Sequence, residues 1–429
     1  MKPVKKILLA SSVLVLGGLA LAYAFTDIPS AVAELDSNKE KAVKAGLYLS
    51  TEGYLKTLQV PKNENGATQM QEAITLFDKR AKGVQFEDAN KKQLLEDKVL
   101  AVYKDIEPVW KLVDEAATKR YVIFERNRKS LWATLTPEFS KFKMLVKLAS
   151  WRATIASKQN DPTTAKVAWI RAAKMSQMAD DEPVLISMLV RIACEAIVED
   201  SIRKALNQHG QDPNWRAAAW EVLTILDQPL DFRAALTVEH RFACEGFDLV
   251  GKPDSFFAMD DWNKSDEGRA VIAFTKLPKA REANESRIHD CYSEYVTNLG
   301  TDKWDAQKMI AASVRMERYM ESKTGISYRL AKIVMPVFSQ AGKAVAKAYA
   351  QRNVLMQAIK LLENPNLKDL PIKGRYALDS DGKALRLIVE KDRRVIYSIG
   401  PNFKDDGGVI DRPTAGSTRD YDFGVAVPK

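Results

Sequence analysis

Apolar residues recur at helical spacing through residues 36–365, and this pattern limits the possible folds more than any other feature. A period of about 3.6 residues buries one face of an α-helix. Asp161-Pro162 and Asp212-Pro213 each begin a new stretch of the pattern. Aspartate caps a helix and proline suits its first turn, so each pair indicates a helix start. The sequence therefore predicts a mainly α protein, built as an array of helical hairpins.

Longer helices are predicted at about 139–159, 183–207 and 341–362. The unit length varies, and the positions that define a tetratricopeptide repeat are absent, so we predict no named repeat. We divide the chain into four predicted regions. These are a signal or membrane anchor (1–30), an N-terminal helical lobe (36–130), a helical-hairpin domain (139–365) and a small β domain (366–429).

The apolar period changes from 3.6 to 2 near residue 365, which is typical of strands. Asp381-Gly382 is typical of a β-turn in a hairpin, and EKDRR at 390–394 predicts a second turn. YDFGVAV, at 421–427, predicts a last short strand. We expect a small antiparallel sheet of three or four strands. So small a sheet needs support, and the last helix would supply it.

The N-terminal segment combines a basic start, MKPVKK, with an apolar run at residues 7–25. A run of this length can cross a bilayer as a helix, and the preceding lysines favour export of the rest of the chain. We predict a cell-membrane protein with a single N-terminal span and an extracytoplasmic body. The alternative is a cleaved signal peptide and a secreted or periplasmic protein, because small-x-small motifs occur at 22–24 and 31–33.

The composition is that of a folded globular protein. The chain has 429 residues, of which 46% are hydrophobic and 28% charged, which argues against disorder and against many membrane spans. The formal net charge is +9. Basic and acidic residues alternate and no nucleic-acid-binding motif accompanies them, so we predict no nucleic-acid partner.

The three cysteines are Cys194, Cys244 and Cys291. An odd number leaves at least one thiol unpaired within the chain. Apolar neighbours favour buried side chains that act as small hydrophobes. In an exported protein a disulfide is also open, and Cys194–Cys244 is the first pair to test.

Catalytic signatures are absent: the chain has no G-x-S-x-G, no H-E-x-x-H and no phosphate-binding glycine loop. Two helical segments, VEHRFACE and SRIHDCYSE, are richer in reactive side chains. If they meet in space, they could form a metal site or a thiol–imidazole pair, the alternative being ordinary helix-face residues. The residues concerned are Glu239, His240, Cys244, Glu245, Glu285, His289, Asp290 and Cys291.

The segment YSIGPNFKDDGGVIDR, at 397–412, concentrates oxygen-bearing side chains in a glycine-containing turn. Such a turn suits a hard cation, so the predicted calcium ligands are Asn402, Asp405, Asp406 and Asp411. The spacing is not that of an EF-hand. The alternative is a turn that uses aspartate and glycine only for their backbone preferences.

Residues 139–429 resemble a family of uncharacterised exported helical proteins of bacteria. The similarity lies in WRATIASKQNDPTTA, RIACEAIVED, LDFRAALTVEHR and the ending VIYSIGPNFKDDGG. The tail alone, at about 374–425, resembles the C-terminal part of major pseudopilins of type II secretion, in which a strand leads into an acidic calcium-binding loop. That resemblance implies the same four ligand candidates. The processing site and early glutamate of pseudopilins have no counterpart here.

These observations predict a membrane-tethered extracytoplasmic helical scaffold or binding protein without catalytic activity. We expect its partner to be an unknown protein or envelope component. No cofactor is predicted other than calcium. Two alternatives are a calcium-stabilised, pseudopilin-like assembly component and an envelope hydrolase. The hydrolase site would combine Glu239 and His240 with Glu285 and His289, which requires the two segments to meet.

Overall fold

A computed structural model describes the architecture of most of the chain. The described residues are 27–87, 94–126, 131, 138–250, 265–334, 336–364, 366–399, 404–410 and 422–428. They form a mainly helical body with a small antiparallel sheet near the C-terminus, which confirms the predicted fold class. The apolar run at residues 7–25 and the cleavage motif at 22–24 lie outside these ranges, whereas the motif at 31–33 lies within a helix.

The helices are numbered in chain order, and a short helical segment at 27–33 precedes the first. The first five are α1 Leu35–Ala45, α2 Thr51–Thr57, α3 Ala67–Ala81, α4 Glu96–Asp105 and α5 Glu107–Ala116. The next five are α6 Glu138–Lys158, α7 Pro162–Met178, α8 Leu185–His209, α9 Pro213–Leu226 and α10 Phe232–Gly246. The last five are α11 Asp266–Thr275, α12 Ala280–Leu299, α13 Ala306–Ser322, α14 Arg329–Val334 and α15 Pro336–Glu363.

The two Asp-Pro pairs begin helices as predicted. The Asp161 carboxylate accepts a hydrogen bond from the Thr164 amide at 3.0 Å and caps α7. The Asp212 carboxylate accepts one from the Asn214 amide at 2.8 Å and caps α9. Each bond satisfies an amide that has no partner within its helix. The three longer predicted helices correspond to α6, α8 and α15.

Two large apolar cores organise the body. The first lies among α3 to α9 and the C-terminal part of α15, and it buries Trp110, Trp169 and Trp215 completely or almost so. The second lies among α1, α10, α12, α13 and the middle of α15. The predicted N-terminal lobe contributes to both cores, since α1 packs on α12 whereas α3 and α5 belong to the first.

The C-terminal sheet has strands β1 Arg386–Val389, β2 Arg393–Ser398 and β3 Phe423–Pro428, in the order β1-β2-β3. Both pairings are antiparallel, and the turn at 390–392 joins β1 to β2 as predicted. β3 corresponds to the predicted last strand. Val425 and Val427 are fully buried in the first core, where β3 packs on α15. The sheet thus rests on the last helix.

The turn at Asp381-Gly382 differs from the predicted hairpin. It closes a single isolated bridge between Leu378 and Ala384, and no strand pair extends from it. Gly382 has a φ of 80°, a left-handed conformation that suits glycine. Residues 374–377 form a 3₁₀ turn, so the chain before the bridge is not extended and cannot continue the ladder.

Candidate functional site

Helices α10 and α12 bring together the two segments that the sequence singled out. His240 and Cys244 are four residues apart on α10, so they share one face of that helix. His289 faces them from α12. The Asp231 side chain caps α10 by accepting a hydrogen bond from the Ala234 amide at 2.9 Å, which fixes where this helix begins.

The side chains of these three residues form a compact cluster. His240 Nε2 lies 2.8 Å from His289 Nδ1 and 3.8 Å from Cys244 Sγ. One nitrogen or sulfur atom from each residue lies within 4.8 Å of the other two. Both histidines are 0% exposed and Cys244 is 8% exposed. We call this group the His–Cys–His cluster.

The outer edges of the two imidazoles face polar groups of the protein. His289 Nε2 lies 3.4 Å from a carboxylate oxygen of Glu285, one turn earlier on α12. The imidazole of His240 lies near the backbone of Tyr48. Its Nδ1 atom makes no well-formed hydrogen bond. The ring of Tyr292 packs edge-on against His240, with centroids 5.4 Å apart.

Burial dominates the electrostatics of the cluster. It lowers the pKa of His240 well below its usual value, and the neighbouring His289 adds to that effect. Burial raises the pKa of the Cys244 thiol to about 12. In contrast, the His289 imidazole beside Glu285 lowers the pKa of that carboxyl group. With no cation present, His240 and Cys244 are therefore neutral near pH 7.

The other residues singled out in these segments have separate roles. Glu239 accepts a hydrogen bond from the Leu185 amide at the start of α8, and burial raises its pKa to about 7. Glu245 accepts hydrogen bonds from the Thr51 hydroxyl and the Leu131 amide. These two carboxylates are thus engaged in local structure.

Asp290 and Cys291 on α12 also have partners outside the cluster. Asp290 accepts hydrogen bonds from the hydroxyls of Tyr319 and Tyr328. Cys291 Sγ lies 3.5 Å from Met320 Sδ. Among the acidic residues predicted for this site, Glu285 is therefore the one whose carboxylate lies next to a cluster residue, His289.

The structure does not contain the Cys194–Cys244 disulfide. All three cysteines are buried free thiols, as the apolar neighbours indicated. Cys194 lies in the first core and Cys244 in the second, so they cannot meet without breaking the packing of both.

The tail segment is described in part, since Asn402 and Asp411 lie outside the described residues. Asp405 accepts hydrogen bonds from Arg386 Nε and the Tyr397 hydroxyl, both at 3.1 Å, and from the Gly407 amide at 3.0 Å. Asp406 donates its amide to the Asp422 carboxylate at 3.4 Å. These contacts are those of an acidic turn. Calcium binding by the four residues stays a prediction.

A cleft that no sequence motif indicates lies where residues 374–379 dock on α13 and α15. Its volume is about 590 Å³, and its walls include Trp304, Tyr349 and Arg375. The Arg375 guanidinium lies 3.5 Å above the Trp304 ring and also pairs with Asp227 at 2.7 Å. No local motif could have revealed a cleft whose walls come from three distant segments.

Among the described residues, no helix is long and apolar enough to cross a membrane. Within the same residues, the His–Cys–His cluster is the one group of three or more histidine, cysteine, aspartate or glutamate side chains close enough to share a metal ion. Comparison with protein-family models, curated proteins and solved structures found no match to this chain.

Proposed function

We propose that this protein is a non-catalytic, extracytoplasmic binding protein that its N-terminal segment tethers to the membrane. The cleft between α13, α15 and residues 374–379 is the observation that carries this proposal. Its volume of about 590 Å³ falls within the range of about 300–1,000 Å³ that is usual for ligand sites. The apolar run at residues 7–25 supports the tether.

The walls of the cleft are held in place before any partner binds. The Tyr349 hydroxyl donates to the Lys303 carbonyl and accepts from the Leu230 amide, at 2.9 and 2.8 Å. The Asn353 amide nitrogen donates to the carbonyls of Arg375 and Leu378. Rigid walls reduce the entropy that binding would cost, so they favour a binding role.

The cleft would recognise a polar partner with an apolar part. Trp304 and Tyr349 offer aromatic surface, with ring centroids 5.1 Å apart. Asp302 and Asp305 add carboxylates at the rim, which would attract amino or hydroxyl groups. An exposed segment of an envelope protein fits this chemistry.

Cross-linking in cells tests the cleft. A photoreactive amino acid at Ala306, which lines the cleft, should give a discrete cross-linked product. The same amino acid at Val167, an exposed position on α7, is the matched control and should give none. Equal cross-linking at both positions, or at neither, would contradict the proposal.

Fractionation tests the tether separately. The full chain should stay in the membrane fraction, and protease added to the outer side should digest it. A chain without residues 1–26 should no longer be found in the membrane fraction. A body that is protected from outside protease would contradict an extracytoplasmic location.

The envelope-hydrolase alternative has one observation in its favour, because His240 and His289 do meet as it requires. However, Glu239 is occupied at the start of α8, and both histidines are fully buried. A hydrolytic site must admit substrate and water, so this alternative requires α10 and α12 to separate. The closed geometry therefore favours a role other than hydrolysis for the cluster.

A further inference from the structure

We propose that His240, Cys244 and His289 form a closed binding site for one thiophilic transition-metal ion, such as Zn²⁺ or Cu⁺. Two imidazoles and a thiolate form a nitrogen and sulfur donor set, which binds these ions better than it binds magnesium or calcium. The site is independent of the cleft and lies in the second core, between α10 and α12.

The cluster has nearly the dimensions of a metal site. With metal–ligand bonds of about 2.0–2.1 Å to nitrogen and about 2.3 Å to sulfur, tetrahedral ligands lie about 3.4 Å (N···N) and about 3.6 Å (N···S) apart. The His240–Cys244 distance of 3.8 Å is close to the second value. The imidazole nitrogens, at 2.8 Å, would have to separate by roughly 0.5 Å, a shift that side-chain rotation can supply.

The groups around the two imidazoles are also compatible with a cation between them. A neutral imidazole carries one N–H. Glu285 beside His289 Nε2 and the Tyr48 backbone beside His240 are suited to receive an N–H from the outer edge of each ring. The inner nitrogens lie at a hydrogen-bond distance of 2.8 Å when one of them carries a proton, and in the tautomers with both protons outside they present two lone pairs to a bound ion. A metal ion would accept both lone pairs and leave both outer contacts intact.

This arrangement follows a general rule for metal-binding histidines, which donate their second N–H to a carboxylate or a backbone carbonyl. The charges balance as well. A Cys244 thiolate and the Glu285 carboxylate together offset a divalent ion, which limits the cost of burying it. The chain supplies three ligands, so a tetrahedral Zn²⁺ would take a water molecule as its fourth ligand, and in either case the ion would join α10 to α12.

Tyr48 also lines a surface cavity of about 350 Å³ together with Thr237, one turn before His240 on α10. This cavity reaches the layer of residues next to the cluster. A closed site needs an entry path for loading, and the ion would enter from this side of α10.

Metal titration of the full-length protein in detergent tests the proposal. After treatment with a chelator, the protein is titrated with Zn²⁺ or, under anaerobic reducing conditions, with Cu⁺. We expect one ion per chain by elemental analysis and a melting temperature that rises with metal concentration. Binding of either ion supports the site. Failure of both to bind at micromolar concentration would overturn it.

Variants then locate the ion. Cys244→Ala should abolish the metal-dependent rise in melting temperature, whereas Cys291→Ala, which removes a buried thiol of the same core outside the cluster, should retain it. If Cys244→Ala does not fold, Co²⁺ binding to the unaltered protein provides the readout, through the absorption band of a cobalt-bound thiolate. Uptake that is unchanged in Cys244→Ala, or Co²⁺ bound without that band, would overturn the proposal.

Discussion

Two buried polar clusters in this protein differ in how their charges are balanced. Between α8 and α15, Arg352 binds Glu195 at 2.6 Å and Glu199 at 3.1 Å, and all three side chains are essentially inaccessible. Arg191 completes this ionic cluster with a contact to Glu195 at 2.8 Å. Between α10 and α12, the His–Cys–His cluster has Glu285 at its edge, 3.4 Å from His289.

The difference shows what each cluster requires. The ionic cluster contains its own opposite charges, so the chain alone can stabilise it. The two imidazoles of the His–Cys–His cluster can share a hydrogen bond, or they can present two nitrogen lone pairs to a cation together with the Cys244 thiolate. Mutations in the ionic cluster should therefore change the stability of the folded chain. Mutations in the His–Cys–His cluster should change its metal affinity.

The largest effect is expected from Arg352→Met. Removing the guanidinium takes the counterion from Glu199 and one of two arginine partners from Glu195, which should lower the free energy of unfolding by about 3–5 kcal/mol. Urea unfolding measures this change. The control Lys56→Ala, which breaks an exposed pair with Glu52, should cost less than about 1 kcal/mol. Similar losses in both variants would contradict the description of the ionic cluster.

The ionisation of the Glu199 side chain should be detectable in the pH dependence of stability. Burial raises its pKa from 4.5 to about 8, although Arg352 opposes that rise. Because the carboxyl pKa is raised, the native state binds more protons than the unfolded state between pH 4.5 and pH 8. The contribution of Glu199 to stability therefore falls as the pH rises from 4.5 to 8.

Glu199→Gln removes this titration. Its stability relative to the unaltered protein should improve by about 2 kcal/mol between pH 6 and 7.5, at about 1.4 kcal/mol per pH unit. Urea unfolding at several pH values measures the difference. A difference that does not vary with pH would show that Glu199 is ionised throughout.

Glu285→Gln should weaken metal binding without removing a ligand. The carboxylate orients His289, and loss of such a partner typically lowers metal affinity at least tenfold, or by about 1.4 kcal/mol. Competition with a chromophoric chelator measures the affinity. Glu282→Gln, at an exposed position on the same helix, is the matched control. Equal affinities of the two variants would exclude Glu285 from the site.

The smallest effect concerns the tail, where the side chain of Asp405 is partly exposed. Asp405→Ala removes a partly exposed ion pair with Arg386 and should cost at most about 1 kcal/mol. If the tail binds calcium as predicted, added calcium should raise the melting temperature of the native protein. An Asp405→Ala, Asp406→Ala variant should then show no rise. An equal rise in both proteins would rule these ligands out.

Local signals predicted much of the fold. Asp161 and Asp212 begin helices because a capping bond joins residues two or three positions apart. The change to a period of 2 located the sheet, since alternation is a local property of strands. The prediction of a hairpin at Asp381-Gly382 was wrong, because the residues of a turn do not determine whether paired strands extend from it.

The candidate site was predictable only in its parts. The four-residue spacing places His240 and Cys244 on one face of a helix, and the same spacing pairs Glu285 with His289. Whether the two pairs meet depends on how α10 packs on α12. The partners of Arg352 gave no sequence signal at all, since Glu195 lies 157 residues away along the chain.

The sequence by itself determined the helices, their starts, the C-terminal sheet and the reactive residues on each helix face, because all of these depend on contacts between near neighbours. Only the tertiary structure decided that His240 and His289 lie 2.8 Å apart, that Cys194 and Cys244 belong to different cores, and that Arg352 is neutralised. The physical reason is that burial and charge pairing depend on which helix faces pack together, and distant segments of the chain decide that packing jointly.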